Sequence, residues 1–333
     1  MNQKSIVWAG NPYFVSHMRN AGHRVVVIPR NAVSVSWDDI VTKCGTVPDV
    51  FIYGDMSVTP FLCKPESFPC LTIFYAIDTH IHSWYPRYAQ AFDLCCVAMR
   101  DHMSGFLGHR LMQPQVFWLP LFAKDHDRRV CPDNEELYEV IFVGKNDPKL
   151  TPGRFDLLEF LSGHVPLTVK QGSYPELYGK SKLVLNVSEH SDLNFRVFEA
   201  LGCGACLITP RVGHGLLEMF RDGVDLFTYE MNDREGLVRL IRSVLADDVL
   251  RRHVAENGFE VVNERHRAGT RSAELLEKID GVDAKLLVSS RLEHADDIFR
   301  TYLRLLYLHF AETETSPDRA RMYLDFAGRG PVI

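Results

Sequence analysis

Short runs of consecutive apolar residues alternate, over the first 120 positions, with stretches in which apolar residues recur three and four apart. That alternation predicts strands at 5–9, 24–28, 49–53, 71–75, 93–98 and 115–119, separated by helices. After a polar first residue most of these runs are continuously apolar, as expected of strands covered on both faces of a parallel sheet. A second set follows at 138–143, 165–169, 183–187, 205–209 and 225–229. Amphipathic helical spacing then takes over at 233–246, 248–263 and 267–279, and a denser Leu-, Tyr- and Phe-rich stretch spans 284–310. A break at 313–318 precedes a last helical segment at 319–326. The expected class is α/β, with parallel-sheet domains at 1–134 and 135–280 and a helical extension at 281–333.

Composition narrows this picture. The chain has 333 residues, 46% hydrophobic and 24% charged, which suits two folded domains and offers no case for disorder. A net charge of -6 argues against nucleic acid as a partner while leaving room for a local basic pocket. The apolar run before Gly10 is too short for a signal peptide, and no run approaches a membrane span of about 18 to 20 residues. A cytoplasmic protein is expected, with the C-terminal helices packing back, forming a homodimer or touching the inner membrane face peripherally. Eight cysteines fall mostly inside apolar runs, where a thiol acts as a small hydrophobe. Cys203-x-x-Cys206 has redox or zinc spacing without a second pair, so packing is the expected role.

The chemistry concentrates at 182–218. A β-branched run leads through Ser188-Glu189-His190-Ser191-Asp192 into a helix at 194–201, which stops at Gly202-Cys203-Gly204 before another buried strand. Such a loop lies at the carboxyl ends of a parallel sheet, and a helix N-terminus there favours an anion. Asp192 or Ser191 is the expected N-cap. Gly144 and Lys145 follow the strand at 138–143, and Arg154 opens the next helix, an arrangement able to neutralise a diphosphate. Either cation alone reads as surface charge. Glu199 lies roughly 7 to 8 Å along the helix axis from Asn194 and matches a ribose diol. The alternative for Glu199 is a surface ion pair with Arg196, worth only tenths of a kcal/mol.

In the first half, Gly10-Asn11-Pro12 lacks the three-glycine dinucleotide fingerprint, which weighs against a nicotinamide enzyme. Gly10 either admits a ligand close to the backbone or forms a tight turn. Asp78, His80 and His82 follow the fourth strand and are placed to move protons or grip hydroxyls. No further ligands stand nearby to complete a metal site, and a capping role for Asp78 is the competing reading. Asp125-His126-Asp127 spells a cation-binding triplet, but its charged surroundings, running to Asn134, predict a solvated linker instead.

The string from Asn194 to Thr209, with Gly213 to Glu218 and Arg221 to Leu226, resembles the donor-binding half of GT-B glycosyltransferases. It is most similar to the family-4-like group that includes the spore-maturation CgeB-like proteins, over about 138–276, with Tyr174-Pro-Glu-Leu-Tyr178 also fitting. This resemblance implies two Rossmann-like domains facing across a cleft and a metal-independent sugar transfer from a nucleoside diphosphate sugar to an acceptor hydroxyl. No resident cofactor is implied. Glu199 would bind ribose, and Lys145 with Arg154 the diphosphate. Asn194 and Arg196 would lie beside the diphosphate or sugar, and Asp78 and His80 would face the sugar as the catalytic candidates. Gly10, Asn11, Gly144 and His190, in loops after strands, complete the candidate donor contacts. One departure is Ser191, where many relatives carry a second glutamate, and it leaves the anomeric outcome open. A nucleotide-sugar epimerase and a non-catalytic nucleotide-sugar-binding scaffold are the competing functions.

Overall fold

The computed structural model describes residues 3–29, 34–129 and 136–328. The chain forms two compact units, residues 1–120 with 271–333, and residues 121–270.

In the first unit, β1 (Ser5–Gly10), α1 (Val15–Asn20), β2 (Arg24–Ile28), α2 (Trp37–Cys44), β3 (Val50–Gly54), β4 (Leu71–Ala76), α3 (Tyr85–Ala89), β5 (Leu94–Val97) and β6 (Val116–Trp118) alternate along the chain. The strands form one sheet in the order β2-β1-β3-β4-β5-β6, and every pairing is parallel. β3 and β4 bury all of their residues, which is why their sequences show no alternation. Local signals set the helix ends. In α2, Ser36 and Asp39 form a reciprocal capping box, and Gly45 closes the helix in the left-handed region.

Strand order reverses between β1 and β3, the place where an open parallel sheet leaves a crevice at its carboxyl edge. Gly10 sits there at φ 88°, and a Cβ on it would lie 1.9 Å from the Gly54 carbonyl oxygen. The protein's own neighbouring strand therefore requires this glycine.

The second unit runs β7 (Tyr138–Val143), α4 (Pro152–Ser162), β8 (Leu167–Lys170), α5 (Tyr174–Gly179), β9 (Ser181–Leu185), α6 (Phe195–Gly202), β10 (Cys206–Pro210), α7 (Leu216–Met219), β11 (Phe227–Tyr229), α8 (Arg234–Ala246) and α9 (Asp248–Arg265). Its sheet order is β11-β10-β9-β7-β8, again parallel throughout. Leu157, Leu158 and Leu161 of α4 and Leu237, Val238 and Ile241 of α8 fill a core against Val140, Leu183 and Ile208. α6 packs with α9.

α10 (Ala268–Asp280) begins in the second unit and ends in the first. The expected single helix at 284–310 is divided into α11 (Ala284–Glu293), α12 (Ala295–Ile298), a π-helical segment at Phe299–Leu303 and α13 (Arg304–Thr313), followed by α14 (Pro317–Gly328). Leu303, Leu306, Tyr307, Phe310, Tyr323 and Phe326 join the same core as Tyr53, Phe61 and Tyr88. Arg291 is fully buried and ion-pairs with Asp93 at 2.8 Å. Its remaining N–H groups donate to the carbonyls of Glu66, Phe68 and Cys70 at 2.7 to 2.8 Å. The C-terminal helices are thus part of the first unit. The expected boundary at 134/135 lies outside the described residues, and the units divide instead after Pro120 and Thr270.

The described cysteines are free and buried. Burial pushes the Cys203 and Cys206 thiols up to about 12, which suits packing rather than redox chemistry. Among the described residues, no helix is long and apolar enough to cross a membrane.

Candidate functional site

In the second sheet, order reverses between β7 and β9, and Arg196 occupies that crevice. Its guanidinium donates to Asn186 Oδ1 at 2.7 Å, to the Val187 carbonyl at 3.3 Å and to the Val143 carbonyl at 3.2 Å. Both strand ends are therefore tied by one side chain. Asn186 is itself buried, donating to Thr209 Oγ1 at 2.9 Å and accepting the Tyr229 hydroxyl on its carbonyl at 3.0 Å. Arg196 makes no pair with Glu199, so the expected alternative of a surface Arg196–Glu199 pair does not form. A Cβ on Gly144 would stand 3.0 Å from the Arg196 guanidinium, so this loop glycine makes room for the arginine.

Arg154 stands beside Arg196. The two guanidinium carbons lie 5.6 and 5.0 Å from the centroid of the Phe142 ring. Burial first, and then the Arg196 charge, lower Arg154 from the ordinary guanidinium value. Arg154 donates to the Lys145 carbonyl at 3.0 Å, and Glu189 stands 3.8 Å from its Nε. The Lys145 side chain is exposed, as is His190.

The α6 N-cap is Asn194, and neither Ser191 nor Asp192 takes that place. Asp192 instead accepts from Ser188 Oγ at 2.5 Å, and its backbone N–H donates back to the same hydroxyl at 2.9 Å. Ser191 adopts φ 56°, so the chain turns before the helix rather than entering it. Asn194 makes no side-chain bond to the first turn of α6. Among the described residues, nothing hydrogen-bonds Asn194 Oδ1 or Asn146 Oδ1, both of which are buried.

Glu199 points to a different set of residues. Lys124 Nζ ion-pairs with Glu199 Oε1 at 2.7 Å and lies 5.2 and 5.7 Å from the ring centroids of Phe195 and Tyr174. Tyr174 donates its hydroxyl to Asp127 Oδ1 at 2.8 Å, and His126 Nε2 is 3.1 Å from the same hydroxyl. Asp127 is fully buried, and burial raises its carboxyl from the ordinary value. This corrects the reading of a solvated linker at Asp127, while Asp125 and His126 are exposed. Ala123 pairs in backbone with the segment at His266 to Ala268, and Arg267 donates to the carbonyls of Lys124, Asp127 and Gly202. The part of that charged run at 130–134 lies outside the described residues.

In the first unit, the carboxyl ends of β1, β3 and β4 converge on Asp55. This buried carboxylate accepts from the backbone N–H groups of Ile77 and Asp78, each at 2.8 Å, from Ser57 N–H at 2.7 Å and from the Tyr85 hydroxyl. Asn11 Nδ2 donates to the Asp55 carbonyl at 2.6 Å. Asp78, half-buried, is thereby held on a loop whose conformation Asp55 dictates. Burial, and then the Asp55 charge, raise the Asp78 carboxyl from its ordinary value, while Ser57, His80 and His82 oppose the rise. Asp78 does not cap the next helix, since α3 starts at Tyr85 behind Trp84. His82 Nε2 meets Ser57 Oγ at 3.0 Å and its ring stacks on Tyr85. His80 is half-buried on the same loop. Asp55, Asn186 and Lys124 were not among the expected site residues, because their types and positions carry no motif, and Tyr174 was noted only as part of Tyr174-Pro-Glu-Leu-Tyr178.

Among the described residues, the second unit has at least two pockets. One, of about 380 Å³, lies at the carboxyl edge between α4 and the loop after β11, lined by Gly153, Leu157, Glu189, Tyr229 and Met231. The other, of about 360 Å³, opens at the amino ends of β9 and β10, away from the arginine pair, and its Arg129 and Arg251 are ion-paired with Glu256 and Glu136.

Residues 162–277 match the family model described as glycosyl transferase-like. Solved structures share the architecture across most of this chain at low identity. Anabaena Alr3699/HepE in complex with UDP and glucose superposes with TM-score 0.58 at 11% identity, over 84% of this chain and 100% of that one. Sucrose-phosphate synthase from Thermosynechococcus elongatus superposes with TM-score 0.57 at 10% identity, over 83% of this chain and 98% of that one. The two parallel α/β units have the GT-B fold of glycosyltransferases. Among curated proteins, N-acetyl-alpha-D-glucosaminyl L-malate synthase from Bacillus anthracis is 32% identical over 99 residues, 30% of this chain. That match spans about a quarter, 26%, of the length of the relative.

Proposed function

We propose that the protein is a glycosyltransferase that moves a sugar from a nucleoside diphosphate sugar to an acceptor hydroxyl on a glycan, a lipid-linked glycan or a protein. The observation that carries this reading is the pair Arg154 and Arg196 on the Phe142 ring, at the switch point of the sheet and beside the first turn of α6. Negative charge grows on the departing diphosphate, and fixed guanidinium groups with a helix N-terminus stabilise it without rearranging. These cations are assigned the neutralising role that a metal ion fills in other enzymes, with Lys145 as a further, exposed cation.

Glu199 is the candidate ribose acceptor, further along α6. The buried amide oxygens on Asn146 and Asn194, without a hydrogen-bond partner among the described residues, suit a ligand rich in hydroxyl donors. Asp78, with its raised carboxyl, is the candidate base for the acceptor proton, with His80 and His82 beside it. Gly10, Asn11, Gly144 and His190 remain candidates for donor contact. The glycosyl transferase-like match over 162–277 and the UDP complexes of a protein with the same fold support this reading. The grouping with CgeB-like proteins and a cytoplasmic location, with a homodimer or peripheral inner-membrane contact through exposed Leu305, Leu308 and Leu324, belong to the same proposal.

The deciding experiment incubates the protein with UDP-, GDP- and ADP-sugars and follows nucleoside diphosphate release, with and without hydroxyl acceptors. Release by the wild type and its loss in Arg196→Ala is the expected result. Binding that is equal for wild type and Arg196→Ala would overturn the site.

A further inference from the structure

We infer that Lys124 is a positioning residue of the nucleotide site, holding the Glu199 carboxylate where a 2′-hydroxyl of ribose meets it; this rests on the nucleotide reading above. The Nζ–Oε1 distance of 2.7 Å makes Lys124 the cation nearest Glu199 among the contacts described. Glu199 is otherwise set among negative and acceptor groups, since Asp127 and the Tyr174 hydroxyl belong to the same cluster.

Removing the lysine would leave two carboxylates close together with no cation between them. Repulsion would then turn Glu199 away from its present rotamer, which removes an acceptor from the ligand. The pair stays accessible, with Lys124 35% and Glu199 13% exposed in their side chains, so a ligand can reach it. Phe195 and Tyr174 flank the ammonium and limit where it can go.

The backbone beneath Lys124 is fixed independently of any ligand. Its N–H donates to Asp127 Oδ2 at 2.7 Å, its carbonyl accepts Arg267 at 3.1 Å, and the same arginine bonds the Asp127 carbonyl at 2.6 Å. Arg267 also reaches the Gly202 carbonyl at the end of α6, the helix that carries Glu199. Lysine and glutamate thus stand on elements clamped to each other, which is what a preorganised polar contact needs. A surface ion pair between two free side chains would have no such support.

A carboxylate oriented by a cation reads a diol differently from a freely rotating one. With Oε1 engaged by Lys124, the carboxylate plane is set, and the loss of either ligand hydroxyl leaves an acceptor position unfilled. The site should therefore distinguish ribo- from 2′-deoxyribonucleotides, and that distinction should depend on Lys124.

The test uses calorimetric titration of the full chain with UDP, GDP and ADP, and then with the 2′-deoxy form of whichever binds. Lys124→Met should weaken the ribonucleotide about tenfold or more and bring the ribo/deoxy ratio close to one, as loss of a charge-assisted contact requires. Lys124→Arg should recover most of the ratio. In turnover assays the change should appear in donor KM, with kcat at saturating donor nearly kept. Tyr174→Phe, which keeps the ring but not the hydroxyl, should move the same ratio less. An unchanged ratio in a folded Lys124→Met protein would overturn the inference while leaving the nucleotide site standing. No binding of any of the three nucleotides by the wild type would remove the site reading itself.

Discussion

Arg154 and Arg196 place two guanidinium groups within 5.6 and 5.0 Å of one ring centroid, that of Phe142. Burial first, and then the neighbouring Arg196 charge, lower Arg154 from the ordinary guanidinium value, and an anion would relieve that cost. Arg154→Ala should weaken binding of a nucleoside diphosphate at least about tenfold and leave the parent nucleoside's weaker binding unchanged. Added salt should narrow the difference. Arg196→Lys should not restore Arg196→Ala, since an ammonium cannot span the Asn186 and Val143 acceptors. Titration calorimetry at two ionic strengths distinguishes these outcomes.

Asp78 should impose an acidic limit on turnover that lies above its ordinary value, because burial and Asp55 both raise it. A base works deprotonated, so activity rises with pH through that limit. Replacing Asp55 with Asn removes a negative neighbour and should shift the limit to lower pH, with a lower plateau as the loop at Ile77 and Asp78 loses its acceptor. Profiles of kcat/KM against pH measure both. The same limit persisting in Asp78→Asn would transfer the role to another group.

Glu66 is buried, and burial raises its carboxyl from 4.5 to about 7. The folded form keeps a proton that the unfolded chain gives up, so this group's contribution is complete below about pH 4.5 and is lost as pH rises toward 7. At about 1.4 kcal/mol per pH unit the loss is roughly 3 kcal/mol. Urea unfolding of Glu66→Gln should show a flatter profile across that window than the wild type, and parallel profiles would dismiss the effect.

Arg291 and Asp93 meet with no exposure on either side chain. Arg291→Met should cost about 3 to 5 kcal/mol, because it strands a buried carboxylate and the carbonyls of Glu66, Phe68 and Cys70. Equilibrium denaturation reads this directly, and a loss under about 1 kcal/mol would mean water replaces the guanidinium.

Strand runs such as 50–53 and 94–97 were legible because burial on both faces leaves a purely local mark, unbroken apolar sequence. Arg154 and Glu199 could be singled out for a similar reason, since their distance from a helix start is a matter of residue count. Within Asp125-His126-Asp127 only Asp127 was misread, because nothing local shows that Arg267 and Tyr174 will surround it, whereas Asp125 and His126 are exposed. Asp192 or Ser191 was expected as the cap, but Asp192 is held by Ser188, Ser191 turns the chain at φ 56° and Asn194 stands at the cap.

By itself the amino-acid sequence determined the periodicities, and with them two α/β units, the helix that bears Glu199 and the loops at the strand ends. Tertiary structure alone decided the partners. It set Arg196 across β7 and β9, Lys124 on Glu199, Asp55 under the Asp78 loop, and the helices after Ala284 in the core of the first unit. The physical reason is range. Backbone conformation and burial are imprinted every two to four residues, whereas an ion pair such as Arg291 with Asp93 joins positions 198 apart and leaves no trace in either neighbourhood.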